Sequence, residues 1–232
     1  MFRSRESIPE LGATPGARMT VVDTLRPEQT QFQYHALKWL VVSPLLHGAF
    51  RLRIEGVEHV PARGPLVLAC NHASHLDPLV LANCANRPVA FMAKEELFDI
   101  PLLGRLIRLY GAFPVRRGSG DRAALRAALL ALEAGWAVGV FLGGTRTDDG
   151  RIQTPQLGAA LVAARAKAPL LPVAIAGTAQ ILPKGSSLPR LHAVTVRFGL
   201  PLPPPSSTER AVLQSATQEC VARIHELLET PR

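Results

Sequence analysis

A chain of 232 residues, 47% hydrophobic and 19% charged, has room for one α/β domain and a composition that excludes a disordered protein. Its net charge of +8 is mostly arginine, since lysine occurs only at Lys38, Lys94, Lys167 and Lys184, so the implied partners are anionic: an acidic membrane surface or a phosphorylated substrate. Nucleic acid is disfavoured, because the basic residues form no long run and Phe, Trp and Tyr make up 5% of the chain.

Residues 1–30 are polar, carry Pro9, Pro15, Gly16 and Pro27, and show no apolar period, so they read as a flexible N-terminal arm in which Met19 is a second candidate start. They lack the basic–apolar–small order of a secretory signal. Residues 31–50 change character: Phe32, Ala36, Leu37, Leu40, Val41, Pro44 and Leu45 follow helical spacing, interrupted by His35, Lys38 and His47. Two readings are open for this segment. One is a membrane-associated helix lying in the headgroup region, with Trp39 and Lys38 as surface anchors. The other is a helix packed on the domain's own core. No stretch reaches the ~18 consecutive apolar residues of a spanning helix. The expected location is the cytoplasmic face of a membrane, peripheral or monotopic.

Strands and helices then alternate. Strands are expected at Phe50–Glu55, Leu66–Cys70, Val89–Met92, Val138–Leu142, Leu170–Ala176 and Ala193–Phe198. Helices are expected at Asp121–Ala134, with Leu125, Leu129 and Leu132 on one face, Asp121 as cap and Gly135 as stop, and at Gln156–Lys167 and Thr208–Leu228. Pro201-Leu202-Pro203-Pro204-Pro205 reads as a stiff connector to the last helix. The pattern predicts a single α/β domain over 51–230, with a central mostly parallel or mixed sheet flanked by helices. Cys70, Cys84 and Cys220 are odd in number and lack zinc-ligand spacing, which fits free thiols in a reducing compartment. Cys70 reads as a buried strand residue, with a catalytic thiol as the alternative.

Chemistry concentrates in four places. Asn71-His72-Ala73-Ser74-His75-Leu76-Asp77 follows the strand that ends at Cys70. A general base needs a neutral imidazole with one nitrogen free and a carboxylate holding the other. His72 and Asp77, five positions apart, would lie on different faces of a helix, so they meet only if a turn separates them. Asp77-Pro78 suggests an N-cap followed by proline at the first helical position. The plain alternative is that Asp77 is a cap and His72 a loop histidine. The next two segments are Gly111-Ala112-Phe113-Pro114-Val115-Arg116-Arg117 and Phe141-Leu142-Gly143-Gly144-Thr145-Arg146-Thr147. In the second, glycine amides, the Thr145 hydroxyl and the Arg146 charge could hold an anion. Alone, a double arginine reads as solvated surface and Gly-Gly as a turn. Leu171-Pro172-Val173 lies in the last, an apolar strand.

In this order the four segments resemble those of the glycerolipid acyltransferase family, whose best-known bacterial member acylates 1-acylglycerol-3-phosphate to phosphatidate. Asn71, His72 and Asp77 match its first motif in full, Gly111, Phe113 and Arg116 its second, and Leu171-Pro172-Val173 its fourth. The third, usually Phe-Pro-Glu-Gly-Thr-Arg-Ser, is matched in part by Phe141 to Thr147, with Leu142 for proline and Gly143 for glutamate. The resemblance covers roughly residues 35–200 and implies that 51–230 is an acyltransferase domain. It implies His72 as base, Asp77 as its orienting carboxylate, and Arg116, Gly144, Thr145 and Arg146 as the grip on an acceptor phosphate. The co-substrate would be acyl-CoA or acyl carrier protein, the acceptor a lysophospholipid, with no metal or cofactor required. The changes at 142 and 143 bear on the acceptor more than on acyl transfer. Three readings follow: 1-acylglycerol-3-phosphate as acceptor, another lyso-lipid, or a catalytically silent lipid-binding homologue. A serine hydrolase is disfavoured, because the chain has no Gly-x-Ser-x-Gly elbow.

Overall fold

In the computed structural model, residues 35–36, 38–101, 103–115, 122–147, 149–181 and 190–231 are described. The expected arm at 1–30, the candidate start Met19, the cap Asp121 and the arginines Arg116 and Arg117 lie outside these residues.

Seven strands form one sheet: β1 (Arg53–Glu55), β2 (Val67–Cys70), β3 (Val89–Lys94), β4 (Ala112–Val115), β5 (Ala137–Phe141), β6 (Leu170–Ala176) and β7 (Thr195–Phe198). Their order is β1-β7-β6-β2-β5-β3-β4. Every neighbouring pair is parallel except β6 with β7. All six expected strands form. The seventh, β4, lies in the Gly111–Arg117 segment. β2 lies at the centre, and its residues, like Leu170–Ile175 of β6, are all buried. Unbroken apolar runs are what strands covered on both faces require.

The helices are α1 (Ser43–Phe50), α2 (Asp77–Cys84), α3 (Leu103–Leu109), α4 (Arg122–Glu133), α5 (Gly158–Ala166), α6 (Thr178–Ile181) and α7 (Arg210–Glu229). α4 packs over β3, β4 and β5, α5 over β2, β5 and β6, and α7 over β6, with α5 between the other two. The face of α4 turned to the core differs from the expected leucine stripe. Ala124, Ala127, Ala128, Ala131 and Leu132 are buried, while Leu125 and Leu129 are half-buried. Alanine lets the helix backbone approach the sheet closely, and the longer side chains splay along its flanks.

The segment before the sheet packs on the domain's own core, the second of the two readings left open for it. A π-helical turn (Lys38–Val42) leads into α1, and Val42, Leu46 and Phe50, spaced four apart, are buried in the core. Trp39 and Leu40 face outward at 62% and 77% exposure. Lys38 is not a headgroup anchor. Its ammonium is buried and donates at 2.6 Å to the carbonyl of Ala85, which ends α2, where a cation complements the carbonyl end of the helix.

Leu68 sits fully buried in β2 between β5 and β6. Leu68→Ala is expected to lower unfolding stability by about 2–5 kcal/mol, read from urea denaturation midpoints.

Candidate active site

Two parallel strands, β2 and β5, end side by side at the centre of the sheet, Cys70 level with Phe141, while β6 beside β2 is level at Val173 and runs on to Ala176. The chain crosses from β2 to β3 on one side and from β5 to β6 on the other. This is the kind of switch point where open α/β sheets bind ligands beyond their carboxyl ends.

Asn71 carries the ladder one step past β2 by means of its side chain. Its amide donates to the Ile175 carbonyl at 2.9 Å and accepts from the Ile175 N–H at 2.8 Å. Both backbone groups of Ile175 are thereby satisfied while the main chain after Asn71 leaves the sheet. Residues 71–74 are irregular, 75–76 form a turn, and α2 begins at Asp77. The pair five positions apart therefore meets across a turn.

Asp77 does not cap the helix that follows. Its carboxylate turns back into the preceding loop and is completely buried. Oδ2 accepts from His72 Nδ1 at 2.8 Å, from the Ala73 N–H at 2.7 Å and from the Ser74 N–H at 2.8 Å. Oδ1 accepts from the Thr178 hydroxyl. Four donors supply what burial of an ionised carboxylate demands. With Nδ1–H committed to Asp77, the lone pair of His72 is left on Nε2, the arrangement of an imidazole that can accept a proton. The His72 ring, 14% exposed, stacks on Phe141 at 4.1 Å between centroids, and Phe141 stacks on Phe91 at 6.1 Å. The His72 carbonyl accepts from the Thr147 N–H at 3.0 Å, tying the loop after β5 to the turn.

That loop contains the other expected residues. Gly144 has φ +64, a left-handed conformation that suits glycine, and its N–H bonds to the Phe141 carbonyl. Gly144 and Thr145 are exposed, and Arg146 is half-buried with no ion pair among the described residues. Arg146 also acts on His75, whose pKa is lowered first by partial burial and then by the Arg146 charge. The guanidinium thus stands on the same rim as the histidines. At position 143 a Cβ would approach the Thr145 carbonyl oxygen at 3.2 Å and meet nothing else within 4 Å. A side chain there would need the Thr145 carbonyl to give by a few tenths of an ångström.

Cys70 is not an activated thiol. It is completely buried, and desolvation pushes its pKa well up, the opposite of what a nucleophile needs. On the β6 side of the turn a cleft of about 230 Å³ opens between Ala73, Gly150, Arg151, Gly177, Gln180 and Glu229. The loop beside it is clamped by α7: Ile152 N–H donates to His225 Nε2, and Arg151 pairs with Glu229 at 2.8 Å.

Thr178 and the stacking partner Phe91 were not singled out in the sequence. Thr178 lies 101 positions from Asp77, and no local spacing joins the two. The one signal was its place after a strand end and Gly177, a corner at the same edge of the sheet.

Residues 51–176, more than half of the chain, match the model of a protein family described as Acyltransferase. A chloroplastic 1-acyl-sn-glycerol-3-phosphate acyltransferase of Arabidopsis thaliana is 30% identical over 164 residues, 69% of this chain and 45% of that protein. A 1-acyl-sn-glycerol-3-phosphate acyltransferase of Bacillus subtilis is 32% identical over 128 residues, 54% of this chain and 63% of that protein. The chain thus spans about half the length of the plant relative and somewhat more of the bacterial one. Among solved structures, that of the 1-acyl-sn-glycerophosphate (LPA) acyltransferase PlsC from Thermotoga maritima superposes with a TM-score of 0.70 at 25% identity, covering 91% of this chain and 88% of that one.

Asn71→Ala would strand both backbone groups of Ile175 in the interior. Its expected cost is about 2–4 kcal/mol of stability, measured by chemical denaturation.

Proposed function

From the premise that this chain belongs to the acyltransferase family, we propose that it moves an acyl chain from a thioester to the hydroxyl of a lysophospholipid, 1-acylglycerol-3-phosphate first, giving phosphatidate. The observation that carries this reading is the 2.8 Å bond between His72 Nδ1 and the buried Asp77, which leaves Nε2 as the base. His72 takes the proton of the acceptor hydroxyl as its oxygen attacks the thioester carbonyl. Asp77 stabilises the imidazolium that forms. Collapse of the tetrahedral intermediate breaks the carbon–sulfur bond, and the proton held by His72 goes to the departing thiolate. Arg146 and the Thr145 hydroxyl hold the acceptor phosphate, with Arg116, which follows β4 in sequence, as a further cation; the Gly144 amide, bonded to the Phe141 carbonyl, shapes the loop instead of donating to the phosphate. Holding the hydroxyl against the carbonyl in this way can supply roughly 7–11 kcal/mol of the barrier reduction. The donor is acyl-CoA or acyl carrier protein.

The substrate partitions into membranes, so we place the protein peripherally on an anionic surface, on the cytoplasmic face. The net charge of +8 and the outward Trp39 and Leu40 support that placement. Among the described residues no helix is long and apolar enough to cross a membrane.

A different lyso-lipid acceptor is the second reading. Glycine at 143 favours it, because the family's motif carries a glutamate at that position and this chain offers no carboxylate there. The deciding experiment offers purified protein an acyl thioester with lysophosphatidate, glycerol 3-phosphate and non-phosphorylated lysolipids in competition. Preference for lysophosphatidate supports the first reading, and preference for another lysolipid the second. Thioester loss with fatty acid released into water would mean a hydrolase. Liposome binding without thioester consumption would mean a silent lipid-binding protein.

His72→Ala is expected to lower transfer by roughly a hundredfold or more with an unchanged far-ultraviolet circular dichroism spectrum. Near wild-type transfer in that variant would sink the mechanism. Arg146→Ala should raise the acceptor KM about tenfold and leave the donor KM alone, as one lost charge-assisted bond requires. Gly143→Glu requires a small shift of the Thr145 carbonyl, and a gain in lysophosphatidate transfer in that variant would mark the glycine as a specialisation.

A further inference from the structure

We propose that Thr178 is a positioning residue for the His72–Asp77 pair, reinforcing the carboxylate's orientation and tempering its basicity; this deepens the acyl-transfer reading and rests on it for the rate measurements.

Three donors converge on Oδ2, and all come from within five residues of Asp77. They hold Oδ2 but do nothing for Oδ1, which burial has removed from water. Among the described residues the Thr178 hydroxyl is the one donor to Oδ1. A carboxylate is acceptor-only, so the hydroxyl must donate. That fourth bond satisfies the second oxygen and, from the opposite side, reinforces the orientation that the three donors give the first. It also withdraws charge from the carboxylate, which then stabilises an imidazolium on His72 without competing for its proton.

The placement of Thr178 is tightly determined. Gly177 has φ +97, and a Cβ there would run into the Ala193 carbonyl oxygen. This left-handed corner turns the chain from β6 into the single turn α6, with Thr178 and Ile181 completely buried. Two residues before Gly177, Ile175 is gripped by Asn71. Asn71 and Asp77 bracket His72 in sequence, and their partners, Ile175 and Thr178, lie on one corner. The β6–α6 corner is therefore the template on which the catalytic turn is shaped.

The test compares Thr178→Val and Thr178→Ala, which remove the hydroxyl, with Thr178→Ser, which keeps it. The first readout needs no substrate: titration of the His72 imidazole by nuclear magnetic resonance. Loss of a donor leaves Asp77 more basic, so the imidazolium is held more firmly and the midpoint moves to higher pH in the valine and alanine variants. The serine variant returns it to the wild-type position. Among the described residues, His75 on the open side and Cys70 beneath interact electrostatically with the pair, and Arg146 with His75; the substitutions leave all three in place. The second readout is kinetic. The valine and alanine variants should lose roughly tenfold or more in kcat, with KM for both substrates within about twofold, and the rising limb of the pH–rate profile should move upward. Serine should rescue both. An unmoved titration in whichever hydroxyl-free variant folds, or a serine variant as impaired as valine, overturns the proposal. Absence of transfer by the wild-type protein would defeat the acyl-transfer reading instead, and the titration would still report on Thr178.

Discussion

An ionised carboxylate withdrawn from water must find donors for both its oxygens, and the burial of Asp77 imposes that demand on everything around it. The amides of Ala73 and Ser74 can reach Oδ2 only if residues 71–76 leave helical geometry. The turn that results is what brings His72 and Asp77 together across a spacing no helix would join. The carboxylate thus acts on the chain before it acts on any substrate, because its bonds select the backbone conformation that presents the imidazole. A helix cap would have satisfied Asp77 differently and left His72 an ordinary loop residue.

The sheet makes that burial possible. β2 lies between β5 and β6, both parallel to it, so three carboxyl ends converge and each contributes to the site. From β5 come the Phe141 ring under His72 and the loop that bonds its carbonyl. From β6 come Ile175 and, one corner later, Thr178. Alanines on α4 and α5 let the covering helices lie close, which keeps the strands buried and the loops in register. α7 reaches the site at its far end, where His225 and Glu229 hold the loop at 151–152.

Charge separates the two sides of the turn. Beneath His72 lie the Asp77 carboxylate and the Cys70 thiol, which burial keeps protonated. On the open side stands Arg146, close enough to His75 to disfavour a second positive charge there. A site with a cationic rim suits an acceptor that is anionic at one end. Position 143 itself contributes no carboxylate to that rim.

Much of this was legible in the sequence. The alternation of apolar runs implied the strands and the α/β class, because a buried parallel strand needs a continuous apolar stretch. The spacing of His72 and Asp77 implied a turn, since no helix brings such residues together. The readings that failed did so where a residue's type admits two environments. Lys38 belonged by composition to a surface, yet a helix end offered its ammonium a carbonyl in the interior. Asp77 before proline had the appearance of a cap, yet nearer donors lay behind it. Leucines marked one face of α4, while closeness of approach favoured the alanines. Local pattern thus determined which elements exist and which residues carry charge or a proton. Tertiary structure alone decided the partners, Asn71 with Ile175 and Asp77 with Thr178, because a hydrogen bond is set by distance in space, and positions a hundred apart become neighbours only when the sheet has formed.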